Sequence, residues 1–237
     1  MEKIAIVLAG GLGKRMNSHF PKPAIKIGEK SMLQHVLDKL YSLQLTKIYI
    51  VFGQKGYLLK SSVIPNDKIV WVHQEPQLGT GHAVQVAVKQ ITEQNAQVLI
   101  CNGDAPFVRT STMAKLLENN SLLTCNVSNP HGYGRIITKN NQLQKIVEEK
   151  DASPEEKEIA TINAGVYSFQ LDLLRNNIFN LSDDNAQKEY YLTDLLEMLI
   201  NQKINVNVLE ITDEDEIYNV NNPEQLAYAQ TIVNNFI

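Results

Sequence analysis

The first half of the chain alternates between short apolar runs and amphipathic stretches. Four continuous apolar runs are found at residues 4–8, 48–52, 69–72 and 98–101. Such runs are typical of strands that are covered on both faces. Between them, apolar residues recur every three or four positions at 32–40 and 83–91, which favours helices. This order predicts right-handed βαβ units and a mostly parallel sheet with helices on both faces.

The pattern changes after about residue 118, where the apolar runs become shorter and more frequent. Strands are predicted at residues 122–127, 134–138, 143–147, 160–169 and 206–209. Helices are predicted at residues 171–178, 191–202 and 223–233. Asn140 and Asn141 separate two short strands and favour a tight hairpin. We expect one domain over residues 1–237, with a small β-rich lobe near 128–165.

A glycine-rich loop, Leu8-Ala9-Gly10-Gly11-Leu12-Gly13-Lys14-Arg15-Met16, follows the first predicted strand. Glycine permits positive φ and close approach, so backbone N–H groups there can face an anion. Arg15 and Lys22 follow as cations for phosphate oxygens. The Gly-Lys-Ser/Thr ending of the P-loop is missing, and Met16 breaks the Rossmann fingerprint. The loop predicts a phosphate site of another kind; the alternative is a glycine turn with solvated cations.

Composition and charge narrow the class of protein. The chain has 237 residues, 43% of them hydrophobic, and a formal net charge of −4. This predicts a folded protein without the basic footprint of a nucleic-acid binder. No run approaches the roughly 20 apolar residues of a membrane span. Cys101 and Cys125 lie within apolar runs, which favours buried, reduced thiols and a cytoplasmic location.

An ordered set of motifs resembles the sugar-1-phosphate nucleotidyltransferases. The glycine-rich loop and the following Phe20-Pro21-Lys22-Pro23 are similar to the signature of that family. Other segments resemble the uridylyltransferase domain of the bifunctional bacterial enzymes that make UDP-N-acetylglucosamine; they lie at residues 74–83, 103–106, 132–135, 147–151, 163–165, 189–194 and 220–222. Because these segments keep the family's order over nearly the whole chain, the set is far more specific than any single motif.

The resemblance implies a fold, a reaction and two substrates. The fold would be a three-layer, Rossmann-like α/β nucleotidyltransferase fold with a mostly parallel mixed sheet and a small β-rich sugar-binding lobe. Residues 1–127 would form the nucleotide-binding part, and residues 128–237 the sugar-binding part with the closing helices. The partners would be UTP and N-acetylglucosamine 1-phosphate, with pyrophosphate as a product and Mg²⁺ as the cofactor. A monomer or a small homo-oligomer is expected, with neither nucleic acid nor membrane as a partner.

The resemblance also implies roles for individual residues. The nucleotide would be held by Leu8, Ala9, Gly10, Gly11, Gln74, Gly79 and Thr80. The catalytic groups would be Arg15, Lys22 and Asp104, and the magnesium ligands would be Asp104 and Asn221. The sugar would contact Gly134, Glu148 and Asn163, in a pocket also lined by Tyr191 and Thr193. No protein nucleophile stands out, so we expect the sugar phosphate to attack the α-phosphate of UTP directly, in line.

Three departures from the family pattern bear on these expectations. Lys14 replaces a usual threonine, Gly10 replaces alanine, and Asn102 replaces an aromatic residue that often precedes Gly103-Asp104. No hexapeptide repeats occur, so neither the acetyltransferase domain nor acetyl transfer is expected.

Simpler interpretations remain open for several residues and for the whole chain. Asp104 is also placed as a cap of the following helix, and the segment Asn221-Asn222-Pro223 as a cap before the last helix. Glu148 is placed as part of a solvated turn, and residues 132–134 as a plain turn. His82 is expected to pack or bond at a helix start rather than catalyse. The rival functions are the same reaction with another sugar 1-phosphate or with dTTP, a non-catalytic sensor of a nucleotide sugar, and a flavodoxin-like interaction domain.

Overall fold

A mixed sheet of nine strands forms the centre of the molecule. The computed structural model describes residues 1–11, 16, 18–139 and 142–236. The strands are β1 Glu2–Leu8, β2 Lys26–Ile27, β3 Lys30–Ser31, β4 Lys47–Phe52, β5 Ile69–His73, β6 Ala96–Asn102, β7 Ser121–Asn126, β8 Arg135–Lys139, β9 Gln142–Val147, β10 Thr161–Gln170 and β11 Asn207–Ile211. The helices are α1 Met32–Tyr41, α2 Gly56–Lys60, α3 Thr80–Val88, α4 Thr110–Leu116, α5 Pro154–Lys157, α6 Leu171–Asn177, α7 Asp194–Asn201 and α8 Pro223–Ile232.

The strand order confirms the predicted α/β architecture with a mostly parallel mixed sheet. The main sheet runs β11-β7-β10-β6-β1-β4-β5, and β2 pairs with β3 in a separate two-stranded sheet. The pairs β6–β1, β1–β4, β4–β5 and β11–β7 are parallel, whereas β10 is antiparallel to both β6 and β7. The sheet is therefore mixed and mostly parallel. Its central strands end at one edge, where the loops after β1, β4, β5 and β6 meet.

Alternate residues of β1 belong to two hydrophobic cores on opposite faces of the sheet. Ile4 and Ile6 pack in the core that includes residues of α3, α6 and α7. Ala5 and Val7 pack in the core that includes residues of α1 and α4. All four side chains are fully buried, which explains why this strand reads as a continuous apolar run. The two cores thus hold β1 from both faces, and residues 9–11 follow it at the sheet edge.

The β-rich lobe is the hairpin β8–β9, which joins the main sheet through β10. The two strands pair antiparallel, as predicted, while Asn140 and Asn141 lie outside the described residues. The pairing of β10 with β7 changes register between Asn163 and Tyr167. Gly165 within that interval has a φ of +71°. This bulge bends β10 where the lobe begins.

Several predicted boundaries differ from the observed ones. The helix predicted at residues 191–202 begins only at Asp194, because residues 191–193 form a turn and the Thr193 side chain makes no cap hydrogen bond. Cys101 and Cys125 are buried free thiols, as expected. Burial raises the pKa of Cys101 to about 12. Among the described helices, none combines the length and the apolar character needed to cross a bilayer.

Candidate active site

A cavity of about 670 Å³ opens at the sheet edge beyond β1 and β6. Ligand crevices of open α/β sheets lie at this edge, beyond the carboxyl ends of the strands. Most of the predicted nucleotide and metal residues line it: Leu8, Gly10, Gly11, Lys22, Gln74, Gly79, Thr80, Asp104 and Asn221. Ala9 is 2% exposed and does not belong to the lining, because its N–H donates to Val51 O and its side chain faces Gly103. Arg15, with Lys14, lies outside the described residues.

Residues 8–11, the described start of the glycine loop, are held by backbone hydrogen bonds at Leu8 and Gly11. Leu8 O accepts from the N–H of Gly103 at 2.9 Å, which ties the end of β1 to the loop after β6. Gly11 O accepts from the N–H of Lys22 at 3.3 Å. The N–H groups of Gly10 and Gly11 donate to none of the described residues. Both glycines line the cavity, and backbone N–H groups of this kind can bind an anion.

Lys22 connects both predicted metal ligands. Its Nζ lies 2.7 Å from Asp104 Oδ2 and donates to Asn221 Oδ1 at 2.8 Å. Lys22 stands between Pro21 and Pro23 and is the first residue of a 3₁₀ turn, Lys22–Ala24. It is only 8% exposed. The restricted backbone beside each proline limits the directions in which the lysine can point. Three residues far apart in the sequence thereby form one charged cluster.

The helix-cap interpretation is wrong for Asp104, whereas for the segment 221–223 it is right at Asn222 and not at Asn221. The helix after Pro106 begins at Thr110, and its N-cap residue is Arg109, so Asp104 caps no helix. At the closing helix, the cap is Asn222, whose side chain accepts from the N–H of Gln225. Both candidate ligands instead direct an oxygen at the ammonium of Lys22.

Gln74 and Gly79 belong to the segment after β5 and line the same cavity as Gly10 and Gly11. The Nε2 of Gln74 donates to Gly79 O at 3.0 Å and lies 3.2 Å from His82 Nδ1. Burial lowers the pKa of His82, so its neutral ring can accept this hydrogen bond. This contact confirms that His82 bonds near the start of α3. The Oε1 of Gln74 accepts from none of the described residues and remains available to a ligand.

Gly79 has a backbone that only glycine adopts readily. Its φ is +103° and its ψ is 177°, and a Cβ there would stand 2.7 Å from Tyr190 O. Beside it, the Thr80 hydroxyl accepts from the N–H of Leu192 at 3.1 Å. These contacts hold residues 190–192 against residues 79 and 80.

A second cavity of about 180 Å³ adjoins the first, and its lining includes Gly134, Glu148, Asn163 and Thr193. Glu148 Oε1 accepts from the Thr193 hydroxyl at 3.0 Å. Burial raises the pKa of Glu148, and the negative charges of Asp194 and Asp151 add to this effect. Glu148 is therefore a positioned carboxylate and not part of a solvated turn. A Cβ on Gly134 would stand 3.5 Å from Glu148 Oε2, so glycine leaves that oxygen accessible.

Asn163 and Tyr191 have partners within the protein. Asn163 Nδ2 donates to the Tyr167 hydroxyl at 2.6 Å, and Asn163 Oδ1 accepts from the N–H of Gly165 at 3.1 Å. Asn163 also belongs to the lining of the second cavity. Tyr191 is 7% exposed and lines neither cavity, because its hydroxyl donates to Asp151 Oδ2 at 3.2 Å. Residues 132–134 do form a turn, but that turn also contributes to the lining.

Several lining residues were not among the predicted site residues, and three polar ones are Asn102, Gln77 and Asn219. Asn102 and Asn219 line both cavities, and Gln77 lies over the glycine loop. Asn102 was visible in the sequence as a departure from the family pattern. Gln77 lies inside the motif at residues 74–83, but nothing in its residue type distinguishes it from a surface glutamine.

No group of three or more His, Cys, Asp or Glu side chains suited to a metal ion occurs in the described part of the chain. The pair formed by Asp104 and Asn221 offers one carboxylate and one amide oxygen at the larger cavity. Mg²⁺ commonly takes one or two protein oxygens and completes its shell with water and substrate phosphates. The donor set therefore fits Mg²⁺.

Comparison with known proteins gives matches over the whole chain. The family described as "MobA-like NTP transferase domain" matches residues 5–138. The bifunctional protein GlmU of Clostridium perfringens is 38% identical over 244 residues, which is all of this chain and 53% of that protein. GlmU of Carboxydothermus hydrogenoformans is 40% identical, over 94% of this chain and 51% of that protein. The chain thus spans about half the length of these relatives.

Solved structures match the fold at low sequence identity. A UDP-glucose pyrophosphorylase complexed with UDP-glucose has a TM-score of 0.79 and 16% identity, over 99% of both chains. A candidate glucose-1-phosphate thymidylyltransferase from Bacillus anthracis has a TM-score of 0.76 and 18% identity, over 98% of this chain and 95% of that one.

Proposed function

The chain belongs to the family of MobA-like NTP transferase domains, and on that premise we propose that it transfers a uridylyl group from UTP to N-acetylglucosamine 1-phosphate. Pyrophosphate is the second product. One observation carries the proposal: two cavities share lining residues, with Lys22 and Asp104 in the larger and Glu148 in the smaller. This arrangement suits a triphosphate beside a sugar. The identity of 38–40% to GlmU over 94% or more of the chain supports this pair of substrates.

The segment at residues 74–80 favours a pyrimidine base with an N–H at position 3. Gln74 donates its amide hydrogens to Gly79 O and His82 Nδ1, so its Oε1 is the group offered to a ligand. An oxygen acceptor suits the N3–H of uracil or thymine, whereas cytosine presents an acceptor there. Gly79 leaves the base room to approach the backbone. These contacts support UTP and leave dTTP as the alternative nucleotide.

The smaller cavity suits an amino sugar. Glu148 offers a carboxylate that accepts hydrogen bonds from sugar hydroxyls, and its hydrogen bond to Thr193 fixes one of the two oxygens. Asn163 has one amide hydrogen left for an acceptor such as an acetamido oxygen. The cavity of about 180 Å³ is small, which favours one sugar ring as its occupant.

The reaction is a direct displacement at phosphorus. A phosphate oxygen of the sugar phosphate forms a bond to the α-phosphorus of UTP, and the bond between that phosphorus and the bridging oxygen breaks. Both reactants are anionic, so the chain's main task is to offset their charge and align them. Lys22 supplies an ammonium, and the N–H groups of Gly10 and Gly11 supply backbone donors. Arg15 adds a guanidinium in this proposal.

Asp104 and Asn221 would hold Mg²⁺. When bound, the ion supplies positive charge that stabilises the phosphate oxygens during transfer. Asp104 and Asn221 both contact the ammonium of Lys22. The positive charge of Lys22 compensates the negative charge of Asp104 and holds the cluster in place. Substrate phosphates would compete with Asp104 for that ammonium.

A pyrophosphate-release assay over a matrix of triphosphates and sugar 1-phosphates tests the proposal. UTP with N-acetylglucosamine 1-phosphate should give the highest kcat/KM, and the rate should depend on added Mg²⁺. A preference for dTTP or for glucose 1-phosphate would show that the proposed substrates are wrong, while the proposed nucleotidyl transfer would stand. Calorimetric binding of a UDP-sugar with no turnover of any pair would instead identify a sensor.

A further inference from the structure

The side chain of Gln77 lies between two glycines at the mouth of the larger cavity. Its Nε2 donates to Gly10 O at 2.6 Å. A Cβ on Gly10 would stand 2.9 Å from the same Nε2, and a Cβ on Gly53 would overlap the whole amide group of Gln77. Gly10 follows β1, Gly53 follows β4 and Gln77 follows β5, so three neighbouring strands converge on one side chain.

The hydrogen bond from Gln77 fixes the peptide plane between Gly10 and Gly11. In a trans peptide the carbonyl and the following N–H point in opposite directions. This peptide is trans. Because the Gly10 carbonyl is held toward Gln77, the N–H of Gly11 must point away from it. That N–H has no partner among the described residues, and Gly11 lines the cavity.

We propose that Gln77 is a positioning residue that locks the Gly10–Gly11 peptide in the orientation that presents the Gly11 N–H to the nucleotide's phosphates. The inference rests on the proposed nucleotidyl transfer. Without the lock, the peptide between two glycines can rotate, because neither residue has a Cβ to restrict it. A rotated peptide would present its carbonyl, which repels phosphate.

The lock also connects the two ends of the nucleotide site. Gln77 lies in the sequence between Gln74 and Gly79, which the proposed function places at the base. Its amide reaches the loop that faces the phosphates. A base that orders the segment at residues 74–80 therefore also orders the Gly11 N–H for the phosphates. The smaller cavity does not include Gln77, so binding of the sugar phosphate should be independent of it.

Two substitutions at different positions test the lock. Gln77→Leu keeps much of the side-chain bulk but removes the donor. Gly53→Ala leaves Gln77 in the sequence but displaces its amide, because the new Cβ would occupy the same space. Each should raise the KM for UTP by about 3- to 10-fold, the range expected for one hydrogen bond. The KM for the sugar phosphate and the melting temperature should stay close to those of the unsubstituted protein.

Gln90→Leu provides the matched control, because Gln90 is an exposed glutamine that lines neither cavity. The double variant Gln77→Leu/Gly53→Ala should bind UTP no more weakly than the weaker single variant, since both changes remove the same contact. Calorimetry with UTP provides a second readout that does not depend on turnover.

The outcomes separate the two hypotheses. If the unsubstituted protein turns over UTP and both single variants keep its KM for UTP, the lock is refuted and the proposed function stands. Equal rises in both KM values, or a fully additive double variant, would also refute it, because either result indicates general damage. If the unsubstituted protein neither binds nor turns over UTP, the proposed function fails before the lock is tested.

Discussion

Lys22 Nζ lies 2.7 Å from Asp104 Oδ2, in a cluster where the side chain of Lys22 is 10% exposed and that of Asp104 is 23% exposed. Burying either charge alone would be costly, so each depends on the other for compensation. Asn221 Oδ1 completes the environment of the ammonium at 2.8 Å. The pair thus holds both a cation for phosphate and an oxygen ligand for a metal ion at one point of the larger cavity.

Loss of either partner should abolish most of the activity. Lys22→Ala removes the phosphate cation, and Asp104→Ala removes the proposed metal ligand. Each is expected to lower kcat by about a hundredfold or more, because groups that stabilise developing charge have effects of this size. The pyrophosphate-release assay measures the rate, and circular dichroism verifies that the fold is intact.

Lys30→Ala serves as the control for these two variants. Lys30 forms an exposed ion pair with Asp38 at 2.6 Å and lines neither cavity. Its loss should leave the rate unchanged, since exposed pairs contribute little. Near-normal rates in both Lys22→Ala and Asp104→Ala would contradict the proposed mechanism.

The parts of the fold that could be predicted are those set by local pattern. The strand β1 reads as a buried strand because its faces contact two cores, and Asn222 and Pro223 mark the start of α8. The Lys22–Asp104 pair could be expected only through family resemblance, since tertiary packing alone joins these residues. Thr193 was predicted to lie in a helix, but α7 starts after it and its hydroxyl donates to Glu148 Oε1. Gln77 carries no signal in its residue type, because only the glycines around it reveal its role.

Binding of the sugar phosphate should weaken at acidic pH. Burial raises the pKa of Glu148, so its carboxylate is protonated at a higher pH than an ordinary glutamate. The protonated form loses the charge that accepts sugar hydroxyls, so the KM for the sugar phosphate should rise as pH falls through this raised pKa. Thr193→Val removes a hydrogen bond that favours the charged form, and the rise should then begin at a higher pH.

Glu148→Gln separates this effect from stability. The variant should raise the KM for the sugar phosphate about tenfold or more and make it independent of pH in the acidic range, with the KM for UTP unchanged. A raised carboxyl pKa means that the charged group disfavours the folded state above that pKa. The free energy of unfolding at neutral pH should therefore not decrease. A pH-dependent KM that persists in Glu148→Gln would assign the titration to another group.

Gly79→Ala should lower both stability and nucleotide binding. Its φ of +103° and the 2.7 Å approach of a Cβ to Tyr190 O leave no room for a side chain. We expect a loss of about 3 kcal/mol in the free energy of unfolding, measured by urea denaturation, and a higher KM for UTP. Gly28→Ala has a positive φ of +62° but no atom within 4 Å of its Cβ, and should cost only about 1 kcal/mol. Equal losses in the two variants would show that the contact with Tyr190 is not limiting.

Arg135→Met should destabilise the protein through the β-rich lobe. Arg135 is 1% exposed; its guanidinium lies 2.8 Å from Glu149 Oε2 and donates to the carbonyl groups of Tyr133 and Lys157. Removing one partner of a buried pair costs about 3–5 kcal/mol, so urea denaturation should reveal a loss near that range. Because Tyr133 lines both cavities, the KM for the sugar phosphate should rise as well.

Lys188→Met tests whether burial is the reason for the large effect of Arg135→Met. Lys188 forms an ion pair with Asp184 at 3.2 Å in which the two side chains are 72% and 92% exposed. Solvent and salt weaken such a pair, so the free energy of unfolding should change by less than about 1 kcal/mol. The sugar-phosphate KM should not change either. If Arg135→Met were as stable as Lys188→Met, the buried guanidinium would not be what holds the turn beside the smaller cavity.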